Sequence, residues 1–221
     1  MTSTFGRPLT DIDYRKLETE SWISREIADA AGIVRVNSQE GAEIVGRNNN
    51  KDYSGMVFPY REPGTEITRS YRLRRDHPDY ETRADGTRKE TEKYLTATGT
   101  RNLLYYPPGL DPSMLADPSI PIVIAEGEKK TLALWRLATY KTGTPSFIPI
   151  GISGVWNWRG KITRELGPDG TLHDIKGPIT DLDAINWRGR RVVILFDSDA
   201  ATKQEVRDAR RKLADELEGR V

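Results

Sequence analysis

Two acidic motifs carry the chemistry open to this chain. In Ile122-Val-Ile-Ala-Glu126-Gly127-Glu128-Lys129-Lys130 an apolar run ends on a carboxylate, a glycine follows, and a helical pattern begins. In Val193-Ile-Leu-Phe-Asp197-Ser198-Asp199 a second apolar run ends on two carboxylates one residue apart. Short apolar runs read as buried parallel strands, and open α/β sheets place ligands just past the carboxyl ends of their strands. Glu126, Asp197 and Asp199 crowded at one sheet edge repel each other unless a cation neutralises them. All-oxygen ligation suits Mg²⁺ or Mn²⁺, which retain waters and bridge to substrate phosphates. Gly127 allows a tight turn with close backbone approach. The free N–H groups of the helix that follows, with Lys129 and Lys130, favour a phosphate there. Each motif alone has a plainer use, the acids as helix N-caps and the lysines as a solvated helix face. Their occurrence together on successive strand ends favours the metal site.

The elements that position these residues read as strand, helix, strand, insertion, strand, helix. Pro121–Ala125, Phe147–Ile152 and Arg191–Phe196 are the strands. Glu128–Tyr140 is a helix with Leu132, Leu134, Trp135 and Leu137 at near-helical spacing. Thr202–Arg220 is a helix with Val206, Ala209, Leu213 and Leu217 on one face. Such alternation implies a parallel α/β sheet. Residues 153–187 form a Gly/Trp-rich insertion, in which Trp156 and Trp158 are expected to pack rather than stack on bases. Arg188, Arg190 and Arg191 precede the last strand from its far end and read as surface. Upstream, Ser24 and Ser38 are placed to cap short helices that Gly32 and Gly46 end. Met56–Tyr60, Ile67–Leu73, Tyr94-Leu95 and Leu103–Tyr106 are strand-like, with turns at Glu62-Pro-Gly-Thr and Asp85-Gly86. The proline-rich segment Tyr106–Ser113 separates the halves, giving domains 1–112 and 113–221. Gly219-Arg-Val221 falls where such a sheet would enter a further strand. The expectation is therefore a C-terminally incomplete domain, a fragment or one completed by a partner.

Composition excludes several classes. Lys and Arg number 34 against 33 Asp and Glu in 221 residues, a net charge of +1, so any nucleic-acid surface is local. With no cysteine there is no disulfide scaffold or zinc ribbon, and two histidines, His77 and His173, do not make a His-rich metal centre. No apolar run is long enough to span a bilayer and the start lacks a signal-peptide layout, so the reading is a soluble, cytoplasmic protein without membrane partners.

Arg69, Arg72, Arg74 and Arg75 place four cations in seven residues with no acid between. On a strand, Arg72 and Arg74 share one face, while Arg69, Tyr71 and Arg75 share the other. This is either a surface that tracks a nucleic-acid backbone, with Tyr71 to stack on a base, or an ordinary solvated face.

Glu-Gly after one apolar strand and Asp-x-Asp after another resembles the Toprim domain of primases, topoisomerases and related nucleases. The order Val57-Phe-Pro59, Tyr71-Arg-Leu-Arg-Arg75, Lys93-Tyr-Leu95 is similar to the subdomain preceding it in bacterial-type primases. Ala125–Leu134, Gly154-Val-Trp-Asn-Trp158 and Phe196–Ala201 are closer still to an uncharacterised primase-like subgroup in plasmid, phage and mobile-element replication proteins, often fused to a helicase. The resemblance covers residues 20–221. It implies an N-terminal α+β subdomain followed by a Rossmann-like Toprim sheet. It also implies Glu126 as general acid or base, Asp197 and Asp199 as metal ligands, and Lys93 in a basic groove that holds template strand or nucleotide phosphates. Beside these, the residue reading itself gives Arg72, Arg74 and Arg75 as candidate nucleic-acid contacts and Gly127, Lys129 and Lys130 as candidate nucleotide or phosphate contacts. The chain departs from the pattern at Lys130, where primases usually carry another acid, and in lacking the zinc module. The expected function is primase-type nucleotidyl transfer in DNA replication, using Mg²⁺ or Mn²⁺, single-stranded DNA, nucleoside triphosphates and a helicase domain or subunit. Two alternatives stand beside it: a Toprim nuclease, and a catalytically weak single-stranded-DNA-binding module.

Overall fold

The computed structural model describes residues 5–47, 49–197 and 203–220. The chain divides into two compact units. One takes residues up to Glu20 with Ser24–Thr100; the other takes Ser21–Ile23 with residues from Arg101 onward.

The first unit begins with helix α1 (Asp11–Ser21) and α2 (Arg25–Ala30), followed by strand β1 (Val34–Val36) and α3 (Ser38–Val45). Thr10 and Asp13 cap α1 reciprocally: Thr10 N donates to Asp13 Oδ2 at 2.9 Å and Asp13 N donates to Thr10 Oγ1 at 3.2 Å. Ser24 caps α2, as its sequence position predicts. For α3 the cap is Asn37, not Ser38. Glu40 sits three residues after Asn37 and returns its side chain to the Asn37 N–H, completing a capping box that Ser38 has no partner for. Gly46 ends the helix in the left-handed region.

Strands β2 (Gly55–Arg61), β3 (Thr68–Arg75) and β6 (Tyr94–Thr96) join β1 in an antiparallel sheet of order β1-β2-β3-β6. Between β3 and β6 the chain makes a two-stranded hairpin, β4 (Asp79–Thr82) and β5 (Arg88–Thr91), around the expected Asp85-Gly86 turn. Val36, Val45, Tyr53, Val57, Leu73 and Leu95 form a core beneath α3. β1, β4 and β5 are findings of the structure: β4 and β5 are mostly polar and carry no apolar alternation, and β1, Val34-Arg-Val36, alternates over only three residues, too short a run to read as a strand.

The second unit is α/β. Helix α4 (Pro112–Ala116) leads to β7 (Ile122–Glu126), α5 (Glu128–Ala138) and β8 (Ile148–Ile152). β9 (Arg159–Leu166) and β10 (Leu172–Pro178) follow, then a 3-10 turn (Thr180–Ala184), β11 (Val192–Leu195) and α6 (Gln204–Glu218). β7 is the central strand of a three-stranded parallel sheet of order β11-β7-β8. Leu103–Tyr106, expected as a strand, contributes only the Tyr105–Gly151 bridge to the edge of β8. The core takes Leu104, Tyr106 and Leu110, the sheet isoleucines Ile122, Ile124, Ile148, Ile150 and Ile152, the tryptophans Trp158 and Trp187, and Leu213 and Leu217 of α6. Trp158 is thus packed, as its sequence context suggests. The insertion also contains the β9–β10 hairpin, turned at Gly167–Thr171. No helix among the described residues is long and apolar enough to cross a membrane.

Candidate functional site

β7 delivers Glu126 to its carboxyl end because Ile122, Ile124 and Ala125 are buried in the sheet while Glu126 is only half-buried. The chain then reverses within one residue. Gly127 has φ +91, a conformation L side chains rarely adopt, and it forms the N-terminal boundary of α5. Its peptide is held on both sides. Gly127 N donates to Ile152 O at 2.8 Å, and Gly127 O accepts from Thr131 N at 3.3 Å and Thr131 Oγ1 at 2.9 Å. Gly151 of β8 makes room for this arrangement, since a Cβ there would lie 2.5 Å from Thr131 Oγ1 and 3.0 Å from Tyr105 Cβ.

Helix α5 buries Glu128, Thr131, Leu132 and Ala138, whereas Leu137 is exposed. The inward face therefore begins one turn earlier than the leucine pattern suggests, and its first residue is an acid. Glu128 is 1 % exposed. Its carboxylate sits in the first helical turn, where the helix dipole favours negative charge. The leucine pattern does not point to Glu128; the signal that does is its spacing of three and four residues from Thr131 and Leu132.

The parallel register sets Leu195 of β11 opposite Ala125 of β7, so the carboxyl end of β11 lies beside that of β7. Asp197 follows two residues after Leu195 and is exposed. Its Oδ1 lies 2.5 Å from the ammonium of Lys130. The structure thus joins two residues expected to act separately, the one as metal ligand and the other as phosphate contact. Lys129 Nζ lies 3.3 Å from Ser21 Oγ, to which it donates. Asp199 lies outside the described residues.

Residues 112–221 match the family model described as Domain of unknown function (DUF3854). The DUF3854 span contains both acidic motifs, α5 and the whole parallel sheet. No curated protein and no solved structure matches the chain.

Carboxylate oxygens on adjoining strand ends are donors suited to a hard divalent cation. Among the described residues no three Asp, Glu or His side chains converge as a metal site.

The basic residues of the first unit divide into two kinds. Arg72 pairs in register with Phe58 and Thr96, and Arg74 with Met56 and Tyr94, so the two arginines share the sheet face away from Leu73. Both are half-buried, and the Arg72 guanidinium lies 5.0 Å from the centre of the Tyr94 ring. Arg75, expected in the same groove, is instead 2 % exposed. Its Nε donates to Asp52 O at 2.7 Å and its Nη1 to Asp79 Oδ2 at 2.9 Å. Lys51 and Arg47 close this network through Asp79 and Glu92. The Arg75 and Lys51 cations hold the Asp79 carboxyl well below its ordinary range. Arg75 is therefore an internal tie and presents no charge to a polyanion. Lys93 pairs with Glu90 at 2.5 Å on the surface.

Proposed function

We propose that the chain performs metal-dependent phosphoryl transfer on nucleic acid, of the primase type, in the replication of a plasmid, phage or other mobile element. The observation that carries this reading is the placement of Glu126 as the last residue of β7 and of Asp197 two residues past the end of the adjacent parallel strand β11, with α5 opening after Gly127. The resemblance to Toprim primases supplies the reaction class.

In this reading Asp197 and Asp199 hold Mg²⁺ or Mn²⁺, which supplies charge neutralisation and alignment for the substrate phosphates. Glu126 accepts or returns the proton at the attacking hydroxyl, or completes the metal shell. The N–H groups of the first turn of α5, with Lys129, attract the triphosphate. Arg72, Arg74 and Lys93 attract the strand backbone on their own unit. Positioning and electrostatics carry most of the catalysis in such reactions.

A second reading draws on one contact. The Lys130 ammonium already neutralises Asp197, which favours a single-stranded-DNA-binding module that serves a helicase with little chemistry of its own. The experiment that separates these readings measures incorporation of labelled nucleotides on single-stranded DNA with Mg²⁺ or Mn²⁺, for the native chain, Glu126→Ala and Asp197→Ala. Metal-dependent products that disappear in both variants are the expected result. Degradation of the template that disappears in both variants identifies a nuclease. Binding without either product identifies the module.

A further inference from the structure

We propose that Lys130 is an intramolecular counter-cation that competes with a divalent cation for the Asp197 carboxylate and thereby lowers the metal affinity of this site. The inference rests on the reading of Asp197 as a metal ligand. Lys130 is the third residue of α5, and Asp197 lies two residues past β11. Their charged groups meet at 2.5 Å, with the side chains 41 % and 51 % exposed.

An exposed ion pair contributes little to stability, so this pair does not hold the fold together. Its effect falls on a third charge. A divalent cation arriving at Asp197 competes with the ammonium for the same carboxylate, and an ammonium left within a few ångströms of that cation is repelled by it. The base of Lys130 cannot drift away to relieve this, because the start of α5 is pinned through Gly127 to Ile152 and Thr131. Only the side chain moves. A phosphate bound to the cation offers the displaced ammonium a new anion. The site therefore loads best with cation and polyphosphate together, and each strengthens the binding of the other.

The test needs no activity. Mn²⁺ is titrated into the native chain, Lys130→Met, Lys130→Arg, Asp197→Asn and the double variant Lys130→Met/Asp197→Asn, with free Mn²⁺ read by electron paramagnetic resonance and folding checked by circular dichroism. Lys130→Met is expected to bind Mn²⁺ about fivefold tighter or more than the native chain, within the usual range of site coupling. Lys130→Arg, which keeps the charge, should stay near the native affinity, and the double variant should lose the gain. If Asp197→Asn weakens binding while Lys130→Met leaves it unchanged or weaker, the inference is overturned and the acidic site stands. If Asp197→Asn binds Mn²⁺ like the native chain, the reading of Asp197 as a ligand falls, and the inference with it.

Discussion

Arg190 donates from Nη2 to the Leu115 carbonyl at 2.9 Å, across 75 residues of chain, at the C-terminal end of helix α4. The same guanidinium donates to the carbonyls of Ile120 at 2.9 Å, Asp117 at 2.6 Å and Met114 at 3.3 Å, and its Nε to Asn186 at 2.7 Å. The side chain is 4 % exposed, and every acceptor is a backbone oxygen. Burial pulls its pKa below the ordinary arginine value. Expected from sequence as a surface residue, Arg190 instead collects carbonyls that α4 and the loop before β7 leave without helical partners.

Replacing Arg190 by Met should therefore destabilise the second unit by about 3 kcal/mol, because several backbone carbonyls lose a donor at once. Arg190→Lys should cost less, since an ammonium satisfies some of the acceptors but lacks the planar fork that reaches all of them. Urea unfolding followed by tryptophan fluorescence measures both. Equal midpoints for Arg190→Met and the native chain would contradict this account.

In the first unit, acid sensitivity should centre on Asp13. Burial raises its carboxyl pKa, but hydrogen bonds from Arg35 and Thr10 outweigh burial and bring it down to about 2. Arg35 also pairs with Asp76, tying α1 to the chain after β3. A carboxyl pKa lower in the folded chain means that the unfolded chain binds more protons at low pH. The stabilisation is thus complete above the ordinary value of 3.8 and is lost as pH falls through about 2. Asp13→Asn should cost about 1 to 2 kcal/mol at pH 6, and most of the difference from the native chain should be gone by about pH 2. Urea midpoints measured across that window check it.

The three arginines of β3 should behave differently. Arg72→Ala and Arg74→Ala should each weaken single-stranded-DNA binding and reduce the slope of log affinity against log salt by about 0.7 for each phosphate that is no longer neutralised. Arg75→Ala should leave that slope unchanged and lower the unfolding midpoint of the first unit, because it removes the buried tie to Asp52 and Asp79. Fluorescence anisotropy over a salt series, together with thermal melts, separates the two behaviours.

The parallel sheet was legible because Ile122–Ala125, Ile148–Ile152 and Val192–Leu195 are apolar runs of strand length, and α6 because Ala209, Leu213 and Leu217 recur at helical spacing. The β9–β10 hairpin was not. Leu166 and Leu172 face each other in register yet remain 71 % and 62 % exposed, so no buried face imposes an alternation on the sequence. Arg75 and Arg190 escaped for a different reason. Composition places arginine outside, and only acceptors brought in from distant segments bring it inside. Glu126 and Gly127 could be read from local spacing. The meeting of Lys130 with Asp197 depends on tertiary register, and nothing in either motif announces it.

The two acidic strand ends differ in how they are held. Glu126 is built into the central strand and followed by a peptide bonded to β8 on one side and to α5 on the other, so moving its backbone means shifting three elements together. Lys130 and Asp197 meet through side chains alone, and parting them breaks no backbone hydrogen bond. The pair of strand ends is in this sense a vice with one fixed jaw and one adjustable jaw. In the proposed reaction, substrates that differ in bulk or charge would be accommodated from the Asp197 side, while the Glu126 backbone keeps its position from one substrate to the next.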